Sequence, residues 1–187
     1  MTFTSDPSAG QFVCTEAQGS QNLTSLQERA YQAVLTFTWI QFDAPLPWTD
    51  MTLNAWFAHA IHGVDFRADA QFSYCCEPGG VIVIQTNNLY VLTRTNDPNQ
   101  TWDAVRGLAS VFVHEARHNE GYGHTCGTKD DTVTELGAWG VEYYHLLWLG
   151  THSNPFVVPD SFRSSASRDA RSMLTTFFCN SPSPTPT

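Results

Sequence analysis

The chain has 187 residues, with 9 Lys and Arg against 18 Asp and Glu, so its formal net charge is −9. This acidic balance excludes a strongly basic nucleic-acid-binding surface and a polybasic membrane anchor, and no apolar run is long enough for membrane insertion. With 42% hydrophobic residues, the chain is too apolar to be disordered and long enough for one domain with a buried core.

Two helices are predicted in the first third of the chain. Residues 1–22 are polar and predict an extended or loosely attached arm. Ser25 and Glu28 form a capping box, and the apolar residues after it keep helical spacing to about Phe42. A second helix fits residues 50–62, which end before a glycine.

Short strands are predicted next. Residues 66–74 alternate weakly between apolar and polar side chains. Residues 81–84 and 89–92 are apolar or β-branched runs that flank Asn87 and Asn88, which is a hairpin signal. These runs predict a small antiparallel sheet.

Three more helices are predicted in the second half. The first spans residues 102–119 and is followed by glycines. Thr132 and Glu135 form another capping box, which predicts a helix from there to about Leu149. Residues 165–178 fit a last helix.

These elements sum to an α+β fold, a mostly helical single domain with a small antiparallel sheet. The domain is expected to span residues 23–179, after the N-terminal arm of residues 1–22. Residues 180–187 form a tail of Pro, Ser, Thr and Asn that has no apolar side chain to pack into a core.

Five cysteines are an odd number, so at least one thiol stays outside any intrachain pairing. Their spacing does not fit a CxxC-type zinc site. We expect two disulfides and one free cysteine, with a structural disulfide at Cys126. Cys75 and Cys76 are expected to have different partners, because a bridge between sequence neighbours is strained.

The cysteines, the single lysine and the Pro-rich tail are typical of an exported protein. Residues 1–7 contain neither the basic nor the apolar segment of an export signal. We therefore expect an extracellular or otherwise exported protein whose signal is not part of this chain.

A cluster of His and Glu lies at the end of the third predicted helix. His114 and His118, at positions i and i+4, project from one helix face and can bind a single metal ion. Glu115 lies one step round the helix, where it can reach a water at the metal. A catalytic zinc needs a third protein ligand and an open fourth position. Gly121 permits a sharp helix exit that can return His124 to the first two histidines.

The string from His114 to His124 reads HExxHxxGxxH and resembles the metzincin signature of the zincin metallopeptidases. The resemblance implies a zincin-like metal-binding domain in which His114, His118 and His124 bind Zn²⁺. It also implies that Glu115 is the catalytic base that activates a zinc-bound water. Peptide or protein substrates and a cleft beneath an edge strand are further implications, and the hairpin at residues 81–92 could supply that strand.

Two features of the metzincin site are not found in the sequence. Metzincins carry a Met in a tight turn under the zinc, whereas Met173, the only Met after the motif, falls in the last predicted helix. An oxyanion stabiliser cannot be assigned, and Tyr122, His145 and Arg117 are candidates only because they are close in sequence.

Other roles stay open for residues after the motif. Glu142 is either a carboxylate ligand in place of His124 or a hydrogen-bond partner of a ligand histidine. Glu135 is expected to act in its capping box. Trp139 and the aromatic residues that follow it are expected to pack in the core.

Two other classes of protein compete with the zinc hydrolase. Glu115 and His118, like Glu142 and His145, form a Glu-x-x-His motif of di-iron carboxylate bundles, but the first two helices offer only one further glutamate, Glu28. A non-catalytic module in which zinc stabilises the fold is the other alternative. The prediction is a zinc-dependent hydrolase, specifically a metallopeptidase.

Overall fold

The computed structural model describes residues 11–12, 25–39, 45–67, 69–85, 98–151 and 160–180. The helices in this part of the chain are α1 (Ser25–Trp39), α2 (Leu53–Ala60), α3 (Pro98–Asn119), α4 (Ala138–Thr151) and α5 (Asp160–Thr176). The strands are β1 (Gln11–Phe12), β2 (Gly63–Arg67), β3 (Tyr74–Glu77) and β4 (Val81–Gln85).

The predicted fold class, a mostly helical α+β domain with a small sheet, is confirmed. The first predicted helix is present as α1, which spans Ser25–Trp39. Helix α2 begins after Thr52, whose side chain accepts a hydrogen bond from the Ala55 N–H at 3.3 Å. Helix α3 begins at Pro98, before the first apolar residue of its periodic pattern, because proline suits the first turn of a helix.

The sheet is mixed, so the prediction of an antiparallel sheet is wrong for its central pair. The strand order is β1-β2-β4-β3, and β2 pairs with β4 in parallel from Gly63↔Val81 to Arg67↔Gln85. After β2 the chain forms β3 at the edge of the described sheet. It then returns to form β4 between β2 and β3. β4 takes the central position because its apolar run is buried, as is typical of a strand covered on both faces.

Some sequence predictions fall outside the described residues. These are most of the N-terminal arm, Cys14, the hairpin at Asn87 and Asn88 with its second run at residues 89–92, and residues 181–187 of the tail. Within the arm, Gln11–Phe12 pairs antiparallel with β2.

Two hydrophobic clusters lie on either side of α3. The first joins α1, α2, the sheet and α3, and its aromatic centre includes Phe57 and Phe112 with ring centroids 5.8 Å apart. The second joins α4 and α5 around residues such as Leu149 and Phe162. Helix α3 packs against the first cluster, and the HExxHxxGxxH motif begins at its C-terminal end.

The second predicted capping box is wrong. Thr132 makes no capping hydrogen bond, and Val133–Glu135 forms a 3₁₀ turn that ends at Leu136 in the left-handed region, with φ of 54°. The Glu135 carboxylate accepts a hydrogen bond from the Thr125 hydroxyl at 2.6 Å instead. Helix α4 therefore begins later, at Ala138.

The described cysteines form two pairs. Cys126 is bonded to Cys179 with a Cα–Cα distance of 6.5 Å, which confirms the expected structural disulfide. Cys75 and Cys76 are bonded to each other across a cis peptide bond, so the prediction of different partners is wrong. None of the described helices is long and apolar enough to cross a membrane.

Candidate metal centre

Helix α3 brings His114 and His118 together at its C-terminal end. They lie one turn apart, and their Nε2 atoms are 3.1 Å apart. The helix ends at Asn119, and Gly121 has a φ of 91°, which an L side chain rarely adopts. The predicted sharp exit at Gly121 is therefore confirmed.

After this exit the chain returns His124 to the other two histidines. Its ring centroid lies 5.3 Å from that of His114 and 4.8 Å from that of His118. One nitrogen of each ring lies within 4.8 Å of the others. Within the described part of the chain, this is the only group of His, Cys, Asp or Glu that could hold a metal ion.

Both helical histidines are held through Nδ1 by a hydrogen-bond acceptor. His114 donates to Oε2 of Glu142 at 3.0 Å, and His118 donates to the Tyr122 carbonyl at 2.6 Å. Since a carbonyl and a carboxylate only accept, each ring carries its proton on Nδ1 and has a lone pair on Nε2. Such partners orient metal-binding histidines and raise their basicity.

His124 is held in the same way by Asp130, a residue that the sequence analysis did not single out. Nδ1 of His124 lies 2.9 Å from Oδ1 of Asp130, whose side chain is fully buried. The second oxygen of Asp130 accepts the Gly140 N–H at 3.1 Å, in the first turn of α4. Asp130 therefore stabilises the start of this helix and orients the third histidine.

Gly137 makes room for the buried carboxylate. A Cβ at this position would lie 2.6 Å from Oδ2 of Asp130. The sequence signal for this arrangement is weak, because neither Asp130 nor Gly137 stands at a spacing that predicts contact with His124.

The nitrogen geometry fits a bound cation. Two Nε2 lone pairs 3.1 Å apart repel each other unless a proton or a metal ion lies between them. Burial lowers the pKa of His118, and the neighbouring His114 lowers it further, which disfavours a proton there. The three nitrogens therefore form a suitable donor set for a metal ion.

Glu115 lies beside the three histidines and is only 6% exposed. Its Oε2 atom is buried and has no hydrogen-bond partner among the described residues. Burial, with a smaller effect of the Glu142 charge, raises the pKa of Glu115 to about 7 against the opposing effects of His114 and Cys75. A divalent cation on the imidazoles would lower this pKa, because positive charge favours the carboxylate.

These residues open into a cleft of about 1020 Å³. Residues 72–75, which include the start of β3, line one side of the cleft. Residues 121–124, at the exit of α3, line another side. The edge strand beside the cleft is thus β3. β4, the described part of the hairpin expected at residues 81–92, lies inside the described sheet and does not supply this strand, whereas the second run at residues 89–92 lies outside the described residues.

Trp139 is partly buried and packs against the second hydrophobic cluster, as predicted, and it also lines the cleft. Its ring stacks on His124 at 5.5 Å and 16° and meets His114 edge-on at 4.1 Å. Phe177 stacks on the other side of Trp139, at 3.9 Å and 12°. Met173 lies in α5, as predicted, so no methionine turn follows the motif in the described residues.

The three oxyanion candidates differ in position. His145 is fully buried, both its nitrogens lack partners among the described residues, and burial lowers its pKa to about 3. Arg117 is buried and donates to the Glu120 carboxylate and to the Leu136 carbonyl. Tyr122 lines the cleft and is 44% exposed, although the Arg117 guanidinium lies 3.4 Å from its ring centroid. Only Tyr122 is both exposed and at the cleft.

The alternative sites are not assembled. Glu142 contacts Nδ1 of His114 and is not part of the converging group, so it orients a candidate ligand. His145 points into the core near Phe37, with ring centroids 5.9 Å apart, and does not join the motif in a di-iron arrangement.

Comparison with protein-family models, curated proteins and solved structures finds no match to this chain. The fold and the site define an α+β protein with a cluster of three histidines that could bind a metal ion.

Proposed function

We propose that this protein is a zinc-dependent hydrolase, specifically a metzincin-like peptidase that acts on peptides or proteins. One observation carries the proposal. Three imidazoles each bring one ring nitrogen to within 4.8 Å of the others, each is oriented through Nδ1, and Oε2 of Glu115 is buried without a partner among the described residues. The likeness of residues 114–124 to the metzincin signature supports the same assignment.

Zinc suits this donor set better than other common metals. Three neutral imidazoles with a fourth position open to the cleft are a recurrent ligand set of catalytic zinc. Zn–N distances of about 2.0–2.1 Å in a tetrahedral site place ligand nitrogens about 3.3 Å apart. The 3.1 Å separation of the His114 and His118 nitrogens is close to this value. Ca²⁺ and Mg²⁺ prefer oxygen ligands, which the cluster does not offer.

Glu115 acts as the general base in the proposed reaction. Bound zinc supplies Lewis-acid polarisation of the scissile carbonyl and lowers the pKa of water. Oε2 of Glu115 accepts the proton of the attacking water and transfers it to the leaving amine. Burial of the side chain keeps Oε2 away from competing hydrogen bonds.

The cleft supports an extended peptide as the substrate. Strand β3 is an edge strand, so one side of its backbone is free of ladder hydrogen bonds within the described sheet. An extended peptide can add to such an edge, and its side chains then point alternately toward and away from the cleft. A volume of about 1020 Å³ accommodates several residues of a substrate.

An extracellular or other oxidising location is part of the proposal. Disulfides persist in such compartments and are rare in the cytosol. The Cys126–Cys179 pair supports this location, and so does the pair of neighbouring cysteines on β3.

The test compares zinc-loaded wild type with Glu115→Gln on a broad peptide library, with cleavage followed by mass spectrometry. The variant is expected to bind zinc and to lose at least about 100-fold in cleavage rate, because general base catalysis contributes this much or more. Glu28→Gln is the matched control, since Glu28 is exposed on α1 and its carboxylate accepts a hydrogen bond from the Gln32 side chain. It should cleave like wild type.

The alternative is a module that zinc stabilises but that does not hydrolyse peptides. If wild type and Glu115→Gln are both inactive while zinc content and circular dichroism are normal, the peptidase assignment is wrong. Two irons per chain in metal analysis would instead favour the di-iron class.

A further inference from the structure

The segment that carries His124 is fastened to the end of α5 by a disulfide. Cys126, two residues after His124, is bonded to Cys179, three residues after the last residue of α5. Cys126 and Lys129 exchange backbone hydrogen bonds of 2.8 and 3.0 Å, which close a tight turn. Cys126 is partly exposed and Cys179 is exposed, so the bond is open to reductants.

Asp130 links this junction to the metal centre. Its backbone N–H donates to the Phe177 carbonyl at 3.1 Å, and its carbonyl accepts the Cys179 N–H at 3.0 Å. Its carboxylate holds Nδ1 of His124 at 2.9 Å. The disulfide and the two backbone hydrogen bonds therefore hold the backbone of Asp130, and its carboxylate holds the His124 imidazole.

Few other contacts hold this segment against the end of α5. Asn180 donates to the Asp131 side chain at 2.7 Å and to its carbonyl at 2.8 Å, at an exposed position. A single hydrogen bond contributes about 1 kcal/mol, whereas a cross-link over a long loop contributes several times as much. His114 and His118 do not depend on this junction, since α3 fixes them.

We propose that the Cys126–Cys179 disulfide is a redox-sensitive part of the metal centre, which positions His124 through Asp130 and so sets the affinity for the metal. A dithiol reductant breaks the Sγ–Sγ bond and transfers two electrons and two protons, so that two thiols form and the dithiol becomes a disulfide. The reduced protein keeps the His114–His118 pair and loses tight zinc binding. The inference rests on the metal-binding part of the proposed function and not on hydrolysis.

The test measures zinc affinity by competition with a chromogenic chelator in the full chain with Cys126→Ser and Cys179→Ser. Serine is used because free thiols and dithiol reagents bind zinc themselves. The zinc affinity is expected to fall at least about tenfold, because loss of a residue that orients a metal ligand has an effect of this size. Asn180→Ala is the matched control, because it removes a side-chain contact at the same junction and keeps the disulfide. It should change the affinity less than about twofold.

A double-mutant cycle separates positioning of His124 from general loosening of the fold. In the His124→Ala background, the two serine substitutions should no longer change zinc affinity. An equal loss with and without His124 would overturn the proposal, and so would an unchanged affinity in the serine variant. If wild type itself binds no zinc, the metal centre of the proposed function fails first.

A kinetic measurement covers the case in which the serine variant does not fold. It uses a zinc-loaded chain with Cys75→Ser and Cys76→Ser, so that only the Cys126–Cys179 bond can be reduced. Zinc release to a chelator is timed before and after reduction by a phosphine and capping of the thiols with iodoacetamide. Release should become at least about tenfold faster. Equal rates would overturn the proposal.

Discussion

The candidate metal centre has a helical half and a loop half. The helical half consists of His114 and His118, which α3 presents one turn apart. The loop half is His124, which lies after the helix exit and is held by Asp130 and by the ring of Trp139. Local hydrogen bonds along α3 fix the first half, whereas contacts with α4 and with the chain after α5 fix the second.

The two halves differ in how directly the sequence specifies them. A helix places residues i and i+4 on one face whatever surrounds it. The position of His124 instead depends on a buried carboxylate, a disulfide and an aromatic stack contributed by distant parts of the chain. We therefore expect the loop half to be the more easily disturbed by substitutions away from the ligands.

The largest effect is expected from removal of a ligand in either half. His118→Ala and His124→Ala should each lower zinc affinity more than about 100-fold. This loss is larger than the one expected when a residue that only orients a ligand is replaced. The measurement is zinc per chain after dialysis, which should be one in wild type. Stoichiometric zinc with unchanged affinity in His124→Ala would show that the loop half is not part of the site.

The carboxylates that orient the histidines of the two halves, Glu142 and Asp130, should differ in their effect on the free energy of unfolding. Glu142→Gln and Asp130→Asn are each expected to weaken zinc binding by about 10- to 100-fold, because both orient an imidazole. Asp130→Asn should also lower the free energy of unfolding by about 1–3 kcal/mol, since one buried donor loses its acceptor. Zinc competition and urea unfolding check the two effects. Equal stability of the two variants would argue against the structural role of Asp130.

His145 belongs to neither half and provides a contrast. It is a histidine of α4 whose two ring nitrogens have no hydrogen-bond partner among the described residues. Its pKa is lowered by burial from 6.5 to about 3, so the unfolded chain takes up a proton below pH 6.5 while the folded chain does not. Stability should therefore fall with pH from about 6.5 toward 3, by about 1.4 kcal/mol between pH 7.5 and 5.5. His145→Phe should remove this part of the pH dependence in urea unfolding. An unaltered pH profile would contradict the assignment of a neutral buried imidazole.

The smallest effect is expected from the aromatic support of the loop half. Trp139→Leu removes the stacks on His124 and Phe177 and should lower the free energy of unfolding by about 0.5–1.5 kcal/mol beyond the loss of buried area. Zinc affinity should fall only a few-fold, because Asp130 still holds the imidazole. The checks are urea unfolding and zinc competition. A loss of zinc binding as large as that of His124→Ala would show that the ring, and not the carboxylate, positions the loop half.

Several local features were predictable from the sequence because short-range physics decides them. The helix exit at Gly121 follows from backbone sterics, because glycine tolerates the left-handed conformation. The helical pair His114 and His118 follows from the period of the helix. The mostly helical α+β class follows from the apolar periodicity of the segments.

Predictions failed where distant contacts overrode a local pattern. Thr132 does not start α4, because Glu135 bonds Thr125 and the buried Asp130 stabilises the helix start instead. The apolar run of β4 predicts one arm of a hairpin at the sheet edge, whereas the structure places it between β2 and β3 with Ile82, Val83 and Ile84 buried.

The sequence by itself determined the two helical histidines with Glu115 beside them, and the glycine that ends their helix, because helical period and glycine sterics act within a few residues. Only the tertiary structure decided which acceptors hold the imidazoles, which strand borders the cleft, and that Trp139 lies in it. The physical reason is that Asp130, Glu142 and β3 reach the site through packing of α4, α5 and the sheet around α3. No spacing along the chain encodes that packing.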